Sequence, residues 1–132
     1  MRGDYHTHSI FDDGKNTLLE MAEAAEAKGL LYFGFSGHAS QSFDESFCIK
    51  RNRFREYLRE ARDIQALFEQ EGRRTEILVG VEQDLFSEPA RGLDYTIGSV
   101  HYLKQEGDYL CIDESPEKLE WIVSEYFGGN WY

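Results

Sequence analysis

Near-continuous apolar runs constrain the fold of this chain more than any other feature. The runs LLYFGFSGH (residues 30–38), TEILVGVEQDL (75–85) and LDYTIGSVHYL (93–103) lack the strict alternation of a strand with one face in water. Such runs are typical of strands that are covered on both faces, as in a parallel sheet. A further short strand is predicted at residues 2–6. Within the second and third runs, we expect the strands themselves to end at Glu82 and His101.

Segments whose apolar residues recur at helical spacing lie between and after these runs. They cover about residues 18–28, from Arg53 to just before Gly72, and from Pro116 to just before Gly128. Thr17 and Glu20 have the form of a capping box, and Ser115 can cap the last helix. A small hairpin is predicted around Glu106 and Gly107. The alternation predicts an α/β fold with right-handed parallel crossovers, in one domain that spans residues 1–132.

The composition restricts the function. The 132 residues carry a net charge of −11, which argues against a general nucleic-acid surface and against an anion site built from side chains alone. No apolar run reaches the roughly 18 residues that a membrane span needs, so we expect a cytoplasmic protein without a membrane partner. Cys48 and Cys111 form no C-x-x-C pattern and are expected to be reduced thiols.

Half of the histidines lie in the five residues YHTHS, numbered 5–9. On an extended backbone His6 and His8 point the same way, so one divalent ion can bind both. His38, Glu82 and His101 also follow predicted strands, and the carboxyl ends of parallel strands are where sites form. A single histidine is more often an ordinary hydrogen-bonded residue. The coincidence of all four at one edge favours a metal site.

The donor types suggest which ions would bind and how. Glu82 has two carboxylate oxygens and can bridge two metals, as hydrolytic two-metal sites require. Asp13, in the DDG turn, is as easily an ordinary turn residue as a ligand. Histidine with carboxylate suits Zn, Fe or Mn. No G-x-S-x-G elbow, Walker loop or dinucleotide fingerprint is present, so catalysis by a side-chain nucleophile fits poorly.

Four polar residues could approach a phosphate group on a small phosphorylated substrate. They are Ser40, Gln41, Arg53 and Lys104. Each is better explained as an ordinary surface residue, so they are only candidate substrate-binding residues.

The motifs DYHTHS, DDG, FSGHAS, VGVEQD and GSVHYL, in this order, resemble the polymerase-and-histidinol-phosphatase (PHP) family, and most closely its histidinol-phosphatase branch. The resemblance implies a partial (β/α) barrel, about half of a distorted seven-stranded barrel with mostly parallel strands. It also implies two or three divalent ions. His6, His8 and Glu82 would hold one ion, Glu82 and His101 a second, and Asp13 and His38 a third.

The activity that the resemblance implies is metal-dependent hydrolysis of histidinol phosphate, a step of histidine biosynthesis. Glu82 and His101 would contribute to catalysis by assembling the metals. The family also has a later histidine and a closing Asp-x-His pair, and no histidine follows His101 in this sequence. Two alternatives therefore stay open: a family phosphoesterase acting on nucleotides or nucleic-acid ends, and an inactive metal-binding fragment.

A complete barrel of this type needs roughly 200 residues or more. A half-barrel would expose a parallel edge strand with apolar faces, which promotes association. We therefore expect a homodimer or a higher oligomer that covers the open edge.

Overall fold

The computed structural model describes residues 2–130 and shows half of a β/α barrel. The elements are β1 (Gly3–Asp4), α1 (Leu18–Ala27), β2 (Tyr32–Phe35), α2 (Phe54–Gln70), β3 (Glu76–Asp84), β4 (Tyr95–Ser99), β5 (Tyr102–Gln105), β6 (Asp108–Cys111) and α3 (Pro116–Phe127). Strands β1 to β4 form one parallel sheet in sequence order, and β5 pairs with β6 in an antiparallel hairpin. The predicted α/β class and partial barrel are confirmed.

The register of the sheet aligns the carboxyl ends of its strands. The first half of β3 pairs with β2, and its second half, from Gly80 to Asp84, pairs with β4. Beyond the end of β2, His38 forms an isolated parallel bridge with Glu82. This bridge sets the backbone of His38 directly beside that of Glu82.

Helices α1 and α2 cover one face of the sheet. The hydroxyl of Thr17 accepts from the amide of Glu20, and the carboxylate of Glu20 accepts from the amide of Thr17, which confirms the capping box. The buried stripe of α2 and the outward side chains of β3 share one apolar core, which includes Tyr57, Ala61, Ile64, Phe68, Ile77, Val79 and Val81. The helices therefore fix the strands from one side.

On the opposite face, Tyr95 packs across the backbone of two neighbouring strands. Its hydroxyl donates to the carbonyls of Phe35 (2.9 Å) and Tyr5 (2.7 Å). A Cβ added at Gly80 would lie 2.5 Å from the Tyr95 ring, and one at Gly34 would lie 2.2 Å from its hydroxyl. Glycine at these positions lets the anchored ring approach the sheet.

Three predicted boundaries are wrong by a few residues. Strand β1 covers only Gly3–Asp4 instead of residues 2–6, because Ser36 and Tyr95 take up the backbone groups of residues 5 and 7 through side-chain hydrogen bonds. Strand β3 continues two residues past Glu82, since its pairing with β4 runs to Asp84. Strand β4 ends at Ser99, so His101 lies beyond the strand and not on it.

The hairpin and α3 follow the sheet as the sequence predicts. The hairpin turns at Glu106 and Gly107, and Ser115 caps α3 by accepting from the amide of Lys118. Both cysteines are free thiols. Among the described helices, none combines the length and the apolar character that crossing a bilayer requires.

Candidate metal centre

All four histidines converge on Glu82 at the carboxyl edge of the sheet. His6 and His8 follow β1, His38 follows β2, and His101 follows β4. The rings of His8 and His38 have centroids 4.4 Å apart, and those of His38 and His101 lie 5.0 Å apart. Residues separated by up to 95 positions in the sequence therefore form one cluster, as strand-end placement predicts.

Glu82 is the centre of this cluster, and its side chain is only 4% exposed. Its Oε2 lies 2.9 Å from Nε2 of His6, 3.3 Å from Nδ1 of His38 and 3.6 Å from Nε2 of His8. Its Oε1 lies 3.2 Å from Nε2 of His101. Each carboxylate oxygen thus faces at least one imidazole nitrogen, which is the arrangement that a bridging ligand needs.

The spacing of these atoms fits shared divalent ions better than direct hydrogen bonds. With metal–ligand bonds of about 2.0–2.2 Å, two donors on one ion lie roughly 3.0 Å apart at right angles and roughly 4.2 Å apart when opposed. Most distances within the cluster run from 3.2 to 3.9 Å, at or beyond the upper limit of a good hydrogen bond. Nitrogen and carboxylate donors also suit Zn, Fe or Mn.

Three sets of donor atoms lie close enough to hold an ion. The sets are His6, His8 and Glu82; His38, Glu82 and His101; and His8, Asp12, Asp13 and His38. These sets contain all six ligands expected from the sequence. They also add Asp12 and make His8 and His38 common to two sets each.

Sequence reasoning missed Asp12, whose side chain is fully buried. One oxygen lies 2.7 Å from Nδ1 of His8 and accepts from the amide of His38 at 3.1 Å. The other accepts from the amide of Ser9 at 2.8 Å. Gly14 allows the tight turn that follows, because a Cβ there would lie 2.2 Å from the backbone of His8. The spacing of His8 and Asp12, four residues apart beside a glycine, was the only signal in the sequence.

Asp84 orients His101 in a similar way. Its Oδ2 accepts from the amide of His101 at 2.6 Å and lies 3.4 Å from Nδ1 of that ring. Nε2 of His101 is therefore the nitrogen that faces Glu82. Carboxylates that hold the far nitrogen of a histidine fix its orientation and tautomer for metal binding.

At two positions, the electrostatics of the cluster favour the protonation state that binds a metal ion. Burial is the largest single influence on Glu82 and opposes its ionisation, but the hydrogen bond from His6 and the charge of His38, His6 and His101 outweigh burial and lower the pKa of Glu82. Burial and the nearby His8 lower the pKa of His38. A carboxylate and a neutral imidazole are the forms that bind metals. The hydrogen bond to Asp12 raises the pKa of His8, so protons compete more strongly with an ion for this ring.

The contacts of the four candidate substrate-binding residues lie outside this cluster. The hydroxyl of Ser40 donates to the carbonyl of Ile49, and Gln41 is buried. Arg53 lies over the ring of Phe11 and pairs with Glu56, while the ammonium of Lys104 lies over the ring of Tyr109.

A cavity of about 380 Å³ opens beside the cluster. It is lined by Asp13, His38, Asp44, Ser46, Phe47, His101, Tyr102, Cys111, Asp113 and Glu114. Four of these are carboxylates, and within residues 2–130 no lysine or arginine lines the cavity. The lining of this cavity is therefore acidic and partly aromatic.

Comparisons with known proteins agree with this arrangement. A histidinol phosphatase from Lactococcus lactis, solved with zinc, L-histidinol and phosphate, has a TM-score of 0.60 and is 25% identical, over 77% of this chain and 41% of its own. A protein from Listeria monocytogenes assigned as the histidinol phosphatase HisK has a TM-score of 0.71 and is 19% identical, over 89% of this chain and 51% of its own. The latter likeness supports the fold alone.

A curated relative, the DNA polymerase/3'-5' exonuclease PolX of Bacillus subtilis, is 35% identical over 95 residues, which are 72% of this chain and 15% of that protein. The chain thus spans about half, or less, of the proteins that it resembles. The family model described as the PHP domain matches residues 4–131. Since that match covers nearly the whole sequence, the chain belongs to the PHP domain family.

Proposed function

We propose that this chain forms the metal centre of a phosphoric monoester hydrolase that acts on histidinol phosphate and releases histidinol and phosphate. The observation that carries the proposal is the acidic cavity that opens directly onto the Glu82 cluster. Metals at the cluster would receive the phosphoryl group, and the cavity would receive the alcohol that leaves.

The residues of the cluster have distinct tasks in this scheme. Two or three divalent ions, bound by the three donor sets, would neutralise phosphoryl oxygens and lower the pKa of an attacking water. Glu82 belongs to two of the sets, with Oε2 facing His6, His8 and His38 and Oε1 facing His101. Asp12 holds Nδ1 of His8 and leaves Nε2 for an ion, and Asp84 positions His101 by accepting from its backbone amide. The ligands are therefore oriented before an ion arrives, which limits the reorganisation that binding requires.

The cavity favours an alcohol with positive charge. Asp44 and Glu114 contribute carboxylates, and Phe47 and Tyr102 contribute aromatic rings that also attract cations. Histidinol carries an ammonium group and an imidazole, so it matches this lining. The Lactococcus lactis relative was solved with L-histidinol and phosphate, which supports the same substrate class.

A second candidate function is hydrolysis at nucleotides or nucleic-acid ends, which the likeness to PolX favours. The acidic cavity and the net charge of −11 oppose it, since a nucleotide adds negative charge where the protein already has an excess. A metal-binding chain without turnover is the remaining alternative.

The deciding experiment compares histidinol phosphate, p-nitrophenyl phosphate and a phosphorylated oligonucleotide, each with added Mn or Zn. Turnover of histidinol phosphate with a clearly higher kcat/KM than the other two is expected. Turnover of the oligonucleotide alone would support the second candidate. Bound metal with no turnover of any ester would support the inactive alternative.

The variant Glu114→Gln tests the role of the acidic cavity. An exposed ion pair is worth up to about 1 kcal/mol, so the KM for histidinol phosphate should rise about two- to fivefold. The KM for p-nitrophenyl phosphate, whose alcohol is uncharged at the corresponding position, should not change. Glu117→Gln, in the exposed first turn of α3, removes the same charge outside the cavity and is the control. Equal effects of both variants would show that the cavity does not bind the cationic end.

We also propose that two copies of this chain associate through the open side of β4. Among the described residues no strand pairs with that side, and Leu85 (64% exposed) and Val100 (51%) flank it. A second copy offers the same unpaired edge and apolar side chains, so it can cover them reciprocally.

In gel filtration we expect a dimer for the unmodified chain. Leu85→Glu should give a monomer, whereas Leu19→Glu, at another exposed leucine on α1, should stay dimeric. A monomer at micromolar concentration for the unmodified chain would rule the association out.

A further inference from the structure

We propose that Asp113 supplies an additional carboxylate ligand to the ion bound by Glu82 and His101. This inference rests on the proposed metal centre and extends it to the hairpin that follows His101. The sequence gives no sign of it, because Asp113 follows neither a parallel strand nor a metal-binding motif.

The hairpin fixes the backbone of Asp113 close to His101. The amide of Ile112 donates to the carbonyl of His101 at 2.9 Å, immediately after the last pair of the hairpin, Tyr102 with Cys111. The hydroxyl of Tyr102 donates to Asp44 at 2.8 Å. These contacts attach the hairpin to the site, so the placement of Asp113 does not depend on a free loop.

Further packing holds the tip of the same hairpin. The ring of Tyr109 stacks on that of Phe43, with centroids 3.8 Å apart and planes 4° apart. Phe86 packs edge-on against the other side of Tyr109. The hairpin is thereby anchored to two loops at the carboxyl edge of the sheet.

The two oxygens of Asp113 have different surroundings. Oδ1 accepts from the thiol of Cys111 at 3.1 Å. Oδ2 lies 3.8 Å from Nε2 of His101, the nitrogen that also faces Oε1 of Glu82 at 3.2 Å. That distance is too long for a hydrogen bond and lies within the range of two donors on one ion. Asp113 lies outside the three donor sets, so its side chain, which is 56% exposed, must rotate to bring Oδ2 to the ion.

Asp113 is also the acidic residue of the cavity that has an oxygen available next to His101. Both oxygens of Asp44 are occupied, one by Ser46 and the other by Tyr102. In the part of the chain that the structure describes, no donor hydrogen-bonds Oδ2 of Asp113. Oδ2 can therefore turn toward a cation at His101 without giving up a hydrogen bond to a described residue.

Direct measurement of metal binding tests this assignment without relying on activity. Mn²⁺ is titrated into the metal-free full chain by calorimetry, for the unmodified protein, Asp113→Asn and Asp108→Asn. Asp108, in the same hairpin, is the charge-matched control because it pairs with Gln105 far from His101. Since even indirect partners of metal ligands are worth about 10–100-fold in affinity, Asp113→Asn should weaken one class of sites by at least about tenfold.

The control and the conservative variant define the remaining outcomes. Asp108→Asn should bind Mn²⁺ as the unmodified protein does, and Asp113→Glu should recover most of the lost affinity. If Asp113→Asn binds Mn²⁺ with unchanged affinity, the assignment is wrong, whatever happens to KM. If the unmodified chain binds no Mn²⁺ at all, the proposed metal centre itself fails, so the two failures are distinguishable.

Discussion

Replacement of Glu82 by glutamine is expected to remove most of the bound metal and nearly all phosphatase activity. Both carboxylate oxygens of Glu82 face histidine nitrogens of separate donor sets. An amide presents one neutral oxygen and an NH₂ group, which cannot bind a cation. Because metal ions contribute several kcal/mol to such reactions and 1.36 kcal/mol is tenfold in rate, activity should fall by about a thousandfold or more.

The fold should survive this change, because the backbone of Glu82 is held independently of its side chain. Its carbonyl accepts from the amide of Ala39, and its amide donates to the carbonyl of Ser36. Glu76→Gln, at the exposed first residue of the same strand, is the matched control and should keep full metal content. Elemental analysis and the histidinol phosphate assay give the two readouts. A Glu82→Gln protein with a full metal complement would show that the cluster is not the metal site.

Asp12→Ala should weaken both the fold and the metal centre. The mutation removes the acceptor for the amides of Ser9 and His38 and for Nδ1 of His8, all at a fully buried position. Buried donors without partners cost about 1–3 kcal/mol each, and the loop can relax partly. We expect the free energy of unfolding to fall by about 2–4 kcal/mol, and the metal affinity by about 10–100-fold because His8 is no longer oriented.

Urea unfolding in the presence of EDTA separates the two effects of Asp12, since metal binding would otherwise contribute to the measured stability. Asp12→Asn keeps the size and one acceptor, so it should recover part of the stability but little of the metal affinity. Asp108→Asn, an exposed carboxylate, should change neither quantity. Unfolding of metal-free Asp12→Ala at the same urea concentration as the unmodified chain would contradict the structural role.

Features of the fold with local signals could be predicted from the sequence. The capping box at Thr17 and Glu20 and the cap at Ser115 depend on residues within one turn, and the structure confirms them. The ends of the strands could not be predicted in the same way, because they depend on pairing with distant segments. Strand β3 passes Glu82 because β4 pairs with it as far as Asp84, which a pattern along one segment does not indicate.

The same distinction between local and long-range signals applies to the candidate site. Histidine and carboxylate at predicted strand ends indicated the candidate ligands that the structure brings together, because parallel topology aligns strand ends. The roles of Asp12, Asp84 and Asp113 depend on which way a side chain points after the chain has folded, and composition carries no such signal. Residue type alone also did not indicate the contacts within the chain: Ser40 donates to the carbonyl of Ile49, and Arg53 pairs with Glu56.

An anomalous difference map from a crystal of the zinc-loaded chain, recorded at the zinc absorption edge, tests the metal centre most directly. The expected result is at least two peaks within bonding distance of Glu82, with imidazole nitrogens of His6, His8, His38 and His101 as further ligands. Zinc peaks confined to other parts of the surface, with Glu82 and the four histidines in contact only with each other or with water, would contradict the proposed centre.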